Sequence, residues 1–256
     1  MKLNLNADLG ESFGAWQMGD DDSLLRIVNS ANVACGQHAG DPLVMRRTVH
    51  SARQRQVDIG AHPGFPDLQG FGRRVMTLSE EELTATLQYQ IGALTAIANA
   101  CGATLSHVKP HGALNNLACE SEAMAQTVVT AIAACSPGLP LLAPVFSELA
   151  KAAVDQAHPL ALEVFADRAY AATGHLVSRR LPGAVHASSE ACVAQVLAML
   201  EAGGVVTIDG EVLPTAFHSI CVHGDNAHAV GTARAVREAV LAAGHELVAL
   251  DQARPS

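Results

Sequence analysis

The stretch Ser30-Ala31-Asn32-Val33-Ala34-Cys35-Gly36-Gln37-His38-Ala39-Gly40-Asp41-Pro42 decides the fold. It opens as a strand of small residues and then packs Cys35, His38 and Asp41 into a glycine-rich turn. It closes on Asp-Pro, where Asp41 suits a helix cap and Pro42 the first helical position. Reactive side chains on a short turn between a strand and a helix have the form of a βα active-site loop.

Similar turns recur on both sides of this stretch. Before it, Lys2 to Asp8 alternates Leu3 and Leu5 with Asn4, Asn6 and Asp8, which predicts a first strand ending in Asn6-Ala7-Asp8-Leu9-Gly10-Glu11. Asp20 to Asn29 reads as a short helix. After it, Pro42 to Arg55 reads as a helix and Val57 to Gly64 as a third strand and loop carrying His62. A turn-rich excursion over 65–74 ends in Arg73 and Arg74. Ser79 with Glu82 three residues later predicts a capping box at the head of a long helix that ends near Cys101-Gly102. The fourth strand, Leu105 to Val108, delivers Lys109-Pro110-His111.

A helix from about Glu120 to Ala134 leads to a fifth strand, Leu139 to Ala143, whose following loop carries little chemistry. The sixth strand, Leu160 to Phe165, delivers Asp167 and Arg168. A helix from Ser188 to Ala202 and a strand pair turning at Asp209-Gly210 follow. The seventh strand, Ser219 to Val222, delivers His223-Gly224-Asp225-Asn226 and a final Ala-rich helix.

Strands alternating with helices imply a parallel sheet with right-handed crossovers. A single α/β domain over 1–256, a seven-stranded parallel β/α barrel closed or slightly open, gathers every strand-end loop on one face. A doubly wound sheet would gather chemistry only at its switch point. Neither common Gly-rich phosphate fingerprint is present.

Composition narrows the function. The net charge of −9 argues against nucleic acid or an anionic membrane as the main partner. Apolar runs stop well short of a membrane span, and no signal region opens the chain, so a cytoplasmic protein is expected. The six cysteines contain no CxxC pair, which points to reduced thiols. With few basic residues, the placement of Arg73, Arg74, Lys109 and Arg168 beside the unusual motifs suits a small anionic substrate.

Asp8, His38, His62, Lys109 and His111 are the candidate catalytic residues, each at a strand end or in the loop after it. Glu11, Asp41, Arg73, Arg74, Arg168, His223 and Asp225 are the candidate substrate-binding residues. Cys35 reads as packing. Three histidines and several carboxylates on one face permit a divalent metal, but no HxxxH or HxH pair indicates one.

Together the motifs resemble the LamB/YcsF family, whose members form the A subunit of the bacterial ATP-dependent 5-oxoprolinase. The matching stretches are NADLGES (6–12), ANVACGQHAGDP (31–42), IGAHPGFPDLQGFGRR (59–74), VKPHGAL (108–114), EVFADRAY (163–170) and CVHGDN (221–226). Asn115 departs from the pattern, since relatives usually carry Tyr there. The resemblance implies a barrel like that of glycoside hydrolases and polysaccharide deacetylases. It also implies ring opening of 5-oxoproline to glutamate, driven by ATP with its magnesium, together with subunits B and C. In the mechanism expected from it, Asp8 or His62 activates water and Lys109 with an arginine binds the carboxylate or a phosphorylated intermediate. His111 or His38 protonates the departing nitrogen. The rival reading is a stand-alone metal-dependent amidohydrolase or deacetylase acting on a sugar-derived or other small amide.

Overall fold

A computed structural model describes residues 1–223 and 228–254. Its architecture starts from the alternation in β1 (Lys2–Leu9), whose two faces are both buried but differ in kind. Leu3, Leu5, Ala7 and Leu9 join the apolar layer shared with the surrounding helices. Asn4, Asn6 and Asp8 instead turn toward the polar side chains of other strands and bond to them. A strand covered on both faces is what a parallel β/α fold requires.

The other barrel strands are β2 (Ser30–Ala34), β3 (Asp58–His62), β4 (His107–Val108), β5 (Leu141–Pro144), β6 (Leu160–Phe165) and β9 (Ser219–Val222). Each pairs in parallel with the next, and β9 returns to β1, so these seven strands close. The barrel is therefore closed rather than slightly open. The hairpin at Asp209-Gly210 exists as β7 (Gly204–Val206) and antiparallel β8 (Val212–Pro214), outside the barrel. β10 (Glu246–Leu247) adds beside the start of β1.

The helices are α1 (Asp21–Leu24), α2 (Pro42–Gln54), α3 (Glu80–Ala100), α4 (Gly112–Glu120), α5 (Glu122–Cys135), α6 (Glu148–Asp155), α7 (Ser189–Ala202), α8 (Ala229–Ala242) and α9 (Leu250–Ala253). Asp41 caps α2 as expected, and Ser79 and Glu82 form the capping box of α3. Leu83, Leu87, Ile91 and Leu94 bury the inner stripe of α3.

The helix expected from about Glu120 to Ala134 forms as α5, and the Ser121 hydroxyl accepts from the Met124 N–H to start it. α4, which precedes it, has no counterpart among the sequence-based expectations. α4 begins directly after His111, so Lys109 and His111 sit where a strand passes into a helix. The helix expected over Asp20 to Asn29 keeps only its first turn as α1. No helix among the described residues is long and apolar enough to cross a membrane.

Candidate active site

The inward alternation of β1 leads directly to the site. Asn4, Asn6, Asn32, His107, Glu163 and Ser219 are all fully buried inside the barrel. Buried polar groups must find partners, and here they find one another. Asn6 donates to Ser219 Oγ at 2.7 Å, and Asn32 donates to Asn6 Oδ1 and Asp8 Oδ1, both at 2.8 Å. His107 Nε2 donates to Asn32 Oδ1 at 2.6 Å.

Lys109 places one ammonium at the centre of this network. Its Nζ lies 3.2 Å from Asp8 Oδ1, 3.1 Å from Glu163 Oε2, 3.2 Å from Asn6 Oδ1 and 3.1 Å from Cys221 Sγ. Burial pulls the lysine toward neutrality, but Asp8, Cys221 and Glu163 outweigh it and hold its pKa well above the ordinary value. Burial likewise raises the Asp8 carboxyl, yet His62 and Lys109 overcome that and hold it well below the usual carboxylate range. Glu163, fully enclosed and near Asp8, is raised. The result is an ionised Asp8 whose Oδ1 is fixed by Asn32 and Lys109.

Asp8 Oδ2 faces the histidines at 3.5 Å from His62 Nε2. His62 Nδ1 donates to the Lys109 carbonyl at 2.7 Å, and its Nε2 lies 3.0 Å from His111 Nδ1. His111 Nε2 donates to the Phe71 carbonyl at 2.9 Å. Behind them His38 stacks on His111, with centroids 3.8 Å apart and planes 6° from parallel. Glu11 Oε1 sits 3.7 Å from both His38 Nε2 and His111 Nδ1. Burial and the neighbouring imidazoles push the pKa of His38 well down and that of His111 down to about 3. Glycine makes this crowding possible: a Cβ on Gly72 would come within 2.8 Å of both His38 and His111.

Above these groups opens a pocket of about 400 Å³, lined by Asp8, His62, Lys109, His111, Asn115 and His223. Arg73, Arg168, Arg179 and Arg180 line it as well. Such a site holds an ionised carboxylate beside paired imidazoles under a cationic rim, suited to acid–base work on a small anion.

Residues 3–255 match the model of the LamB/YcsF family. The chain belongs to this family. It is 55% identical over 252 residues, 98% of each chain, to the 5-oxoprolinase A subunit of Azoarcus sp. (strain BH72). It is 47% identical to the 5-oxoprolinase A subunit of Gluconobacter oxydans (strain 621H), over 97% of this chain and 98% of that one. The crystal structure of a lactam utilization protein from Thermus thermophilus superposes with a TM-score of 0.92. That protein is 43% identical, and 97% of this chain covers all (100%) of it. A putative cellobiose-phosphate cleavage protein from Enterococcus faecalis V583 shares only the fold, at 16% identity and a TM-score of 0.57 over 98% of each chain.

In this LamB/YcsF chain the five residues expected to be catalytic lie together. Asp8, His62, Lys109 and His111 face the pocket, and His38 backs them with Glu11. Lys109, however, spends its donors on barrel groups, so it holds Asp8 rather than reaching up to a ligand. His223 Nδ1 donates to Asp167 at 2.7 Å and its Nε2 accepts from Arg179 at 3.5 Å. Arg168 is buried and donates to the carbonyls of Val177 and Ala184, fastening the pocket wall.

Arg73 lies over the Phe71 ring at 5.0 Å and lines the pocket, whereas Arg74 pairs with Asp67 in the turn below. Asp41 caps α2 and accepts from the Gly14 N–H, away from the pocket. Cys35 is buried, donates to the Val33 carbonyl and is pushed up to about 12 by burial, which suits packing. Asp225 lies outside the described residues.

Sequence reasoning missed Glu163, Asn6, Asn32 and Cys221. A glutamate inside an otherwise apolar strand, Leu160-Ala161-Leu162-Glu163-Val164-Phe165, is the signal that could have found the first. Arg179 was legible only as part of a polar loop.

Proposed function

We propose that this chain is the hydrolytic barrel of an ATP-dependent 5-oxoprolinase, opening 5-oxo-L-proline to L-glutamate in concert with partner subunits B and C. One observation carries the reading: Asp8, held ionised by Lys109, stands beside the His62–His111 pair at the floor of a pocket rimmed by arginines. The names of its relatives supply the substrate class.

The reaction adds one water across the lactam C–N bond. Water on the Asp8 and His62 side loses a proton as its oxygen bonds to the carbonyl carbon. The C–N bond then breaks, and the proton taken from the water is returned to the ring nitrogen from the Asp8 side. Arg73 and Arg179 hold the substrate carboxylate, since planar guanidinium groups match carboxylates and phosphates.

A lactam amide is a poor electrophile at neutral pH. ATP is used, with its magnesium, on the partner subunits to phosphorylate the lactam oxygen, and a second water later releases the phosphate. The pocket is larger than a five-membered lactam needs, which accommodates that phosphoryl group. No Gly-rich phosphate loop occurs in the sequence, in keeping with a nucleotide site on the partners.

The test is reconstitution. Partner proteins plus this chain should convert 5-oxoproline and ATP to glutamate and ADP, and omitting this chain should abolish glutamate. Glutamate formation by the partners alone would overturn the reading.

A further inference from the structure

The two histidines at the pocket floor present an electrostatic problem that their own protons do not solve. His62 Nδ1 and His111 Nε2 each contact a backbone carbonyl, Lys109 O and Phe71 O, at 2.7 and 2.9 Å. A carbonyl only accepts, so each of these ring nitrogens carries the hydrogen. In the neutral imidazoles the inner nitrogens, His62 Nε2 and His111 Nδ1, then hold lone pairs that face each other across 3.0 Å.

The Glu11 and Asp8 carboxylates add two more electron-rich groups, at 3.7 Å from His111 Nδ1 and 3.5 Å from His62 Nε2. His38, fully buried, has neither ring nitrogen in a hydrogen bond. Four donors converge here, and the outer N–H groups of two of the three imidazoles are tied to carbonyls, the second-sphere arrangement of metal-bound histidine.

We propose that Glu11, His38, His62 and His111 bind one divalent transition-metal cation of the zinc, cobalt or manganese class. Their donor atoms all lie within 4.8 Å of one another. Ligands on bonds of about 2.1 Å stand roughly 3.0–3.4 Å apart around such an ion, so the set needs only a small contraction. Three imidazoles and one carboxylate favour these ions over magnesium or calcium, which take oxygen ligands.

One rearrangement is required. His38 and His111 are stacked, and parallel rings cannot both point a lone pair at the same ion. His38 must tilt off the face of His111 toward Glu11, and Gly64 and Gly72, where a Cβ would come within 2.8 Å of the His38 side chain, carry none to block it. Asp8 Oδ2 then borders the ion on the pocket side, where a substrate or water would complete the coordination.

A proton shared by His62 and His111 would also answer the facing lone pairs, but it leaves both ring nitrogens of buried His38 without a hydrogen bond. The Asp8, Cys221 and His223 group is a weaker site, because the Cys221 thiol is engaged by Lys109 and pushed well up by burial.

The test uses the full chain alone, stripped with chelator and titrated with Zn²⁺ by calorimetry and with Co²⁺ by visible absorption. Expected are one tightly bound cation per chain and a Co²⁺ ligand-field band. His38→Gln and His62→Gln, checked by circular dichroism, should each weaken binding ~10-fold or more. The surface variant His50→Gln should not. No stoichiometric binding by the folded chain would overturn the proposal and favour the shared proton. Undiminished binding by folded His38→Gln/His62→Gln would overturn it too. Neither substrate nor partner enters the measurement, so its failure would leave the lactam reading standing.

Discussion

Replacing Lys109 with methionine removes the charge at the barrel centre while keeping nearly the same volume. Two carboxylates sit 3.2 and 3.1 Å from Nζ, with only small exposure to solvent. At an effective dielectric near 20, each such contact is worth about 5 kcal/mol of attraction, most of it offset by desolvation. Losing one partner of a buried ionic group typically costs about 3–5 kcal/mol, because the orphaned charge stays buried. Lys109→Met should therefore lose about that much in urea unfolding followed by circular dichroism. It should also lose turnover, since Asp8 would take up a proton rather than stay charged.

Adding Glu163→Gln separates the two effects. It removes one of the two orphaned carboxylates, so part of the stability should return. Activity should not return, because Asp8 still lacks its ammonium. A Lys109→Met variant within about 1 kcal/mol of wild type, or one with near-normal turnover, would refute the reasoning.

Three further outcomes are expected. His107 is buried and pushed down to about 3 by burial and the nearby Lys109 charge, while an unfolded histidine titrates near its ordinary 6.5. The unfolded chain thus binds the extra proton between these values, so stability falls as pH drops below about 6.5, at roughly 1.4 kcal/mol per pH unit. His107→Gln should flatten that slope in unfolding curves from pH 4 to 8, and an unchanged slope would count against the assignment. Arg179→Ala should raise KM for 5-oxoproline by ~10-fold or more with little change in stability, since it removes an exposed charge-assisted contact. Ser79→Ala, far from the pocket, should cost about 1 kcal/mol through the α3 cap and leave turnover unchanged.

Much of this was legible before any coordinates, for physical reasons. Strand-end turns such as Cys35 to Pro42 announce themselves because glycine, proline and capping residues have strong local preferences. Parallel topology brings such turns to one face, so Asp8, His38, His62, Lys109 and His111 could be grouped correctly without knowing a single distance.

What stayed hidden is long-range. Asn6 and Glu163 are 157 residues apart and meet only because β9 closes onto β1 between them. Lys109 could be recognised as a desolvated lysine, but its partners could not, and those partners change its role from ligand contact to anchor for Asp8. Asp41 and Arg74 carry the right chemistry but are taken up by the α2 cap and the Asp67 turn. The facing lone pairs of His62 and His111 follow from two backbone carbonyls, which no motif encodes.

The central claim is that the ionised Asp8 at the barrel floor serves ring opening. Glutamate release from 5-oxoproline and ATP, measured on the reconstituted enzyme with Asp8→Asn in place of the wild-type chain, tests it most directly. The account predicts a loss of at least ~10²-fold in kcat, the scale of a lost acid–base group, with the variant folded and KM little changed. Turnover within a few fold of wild type would contradict it.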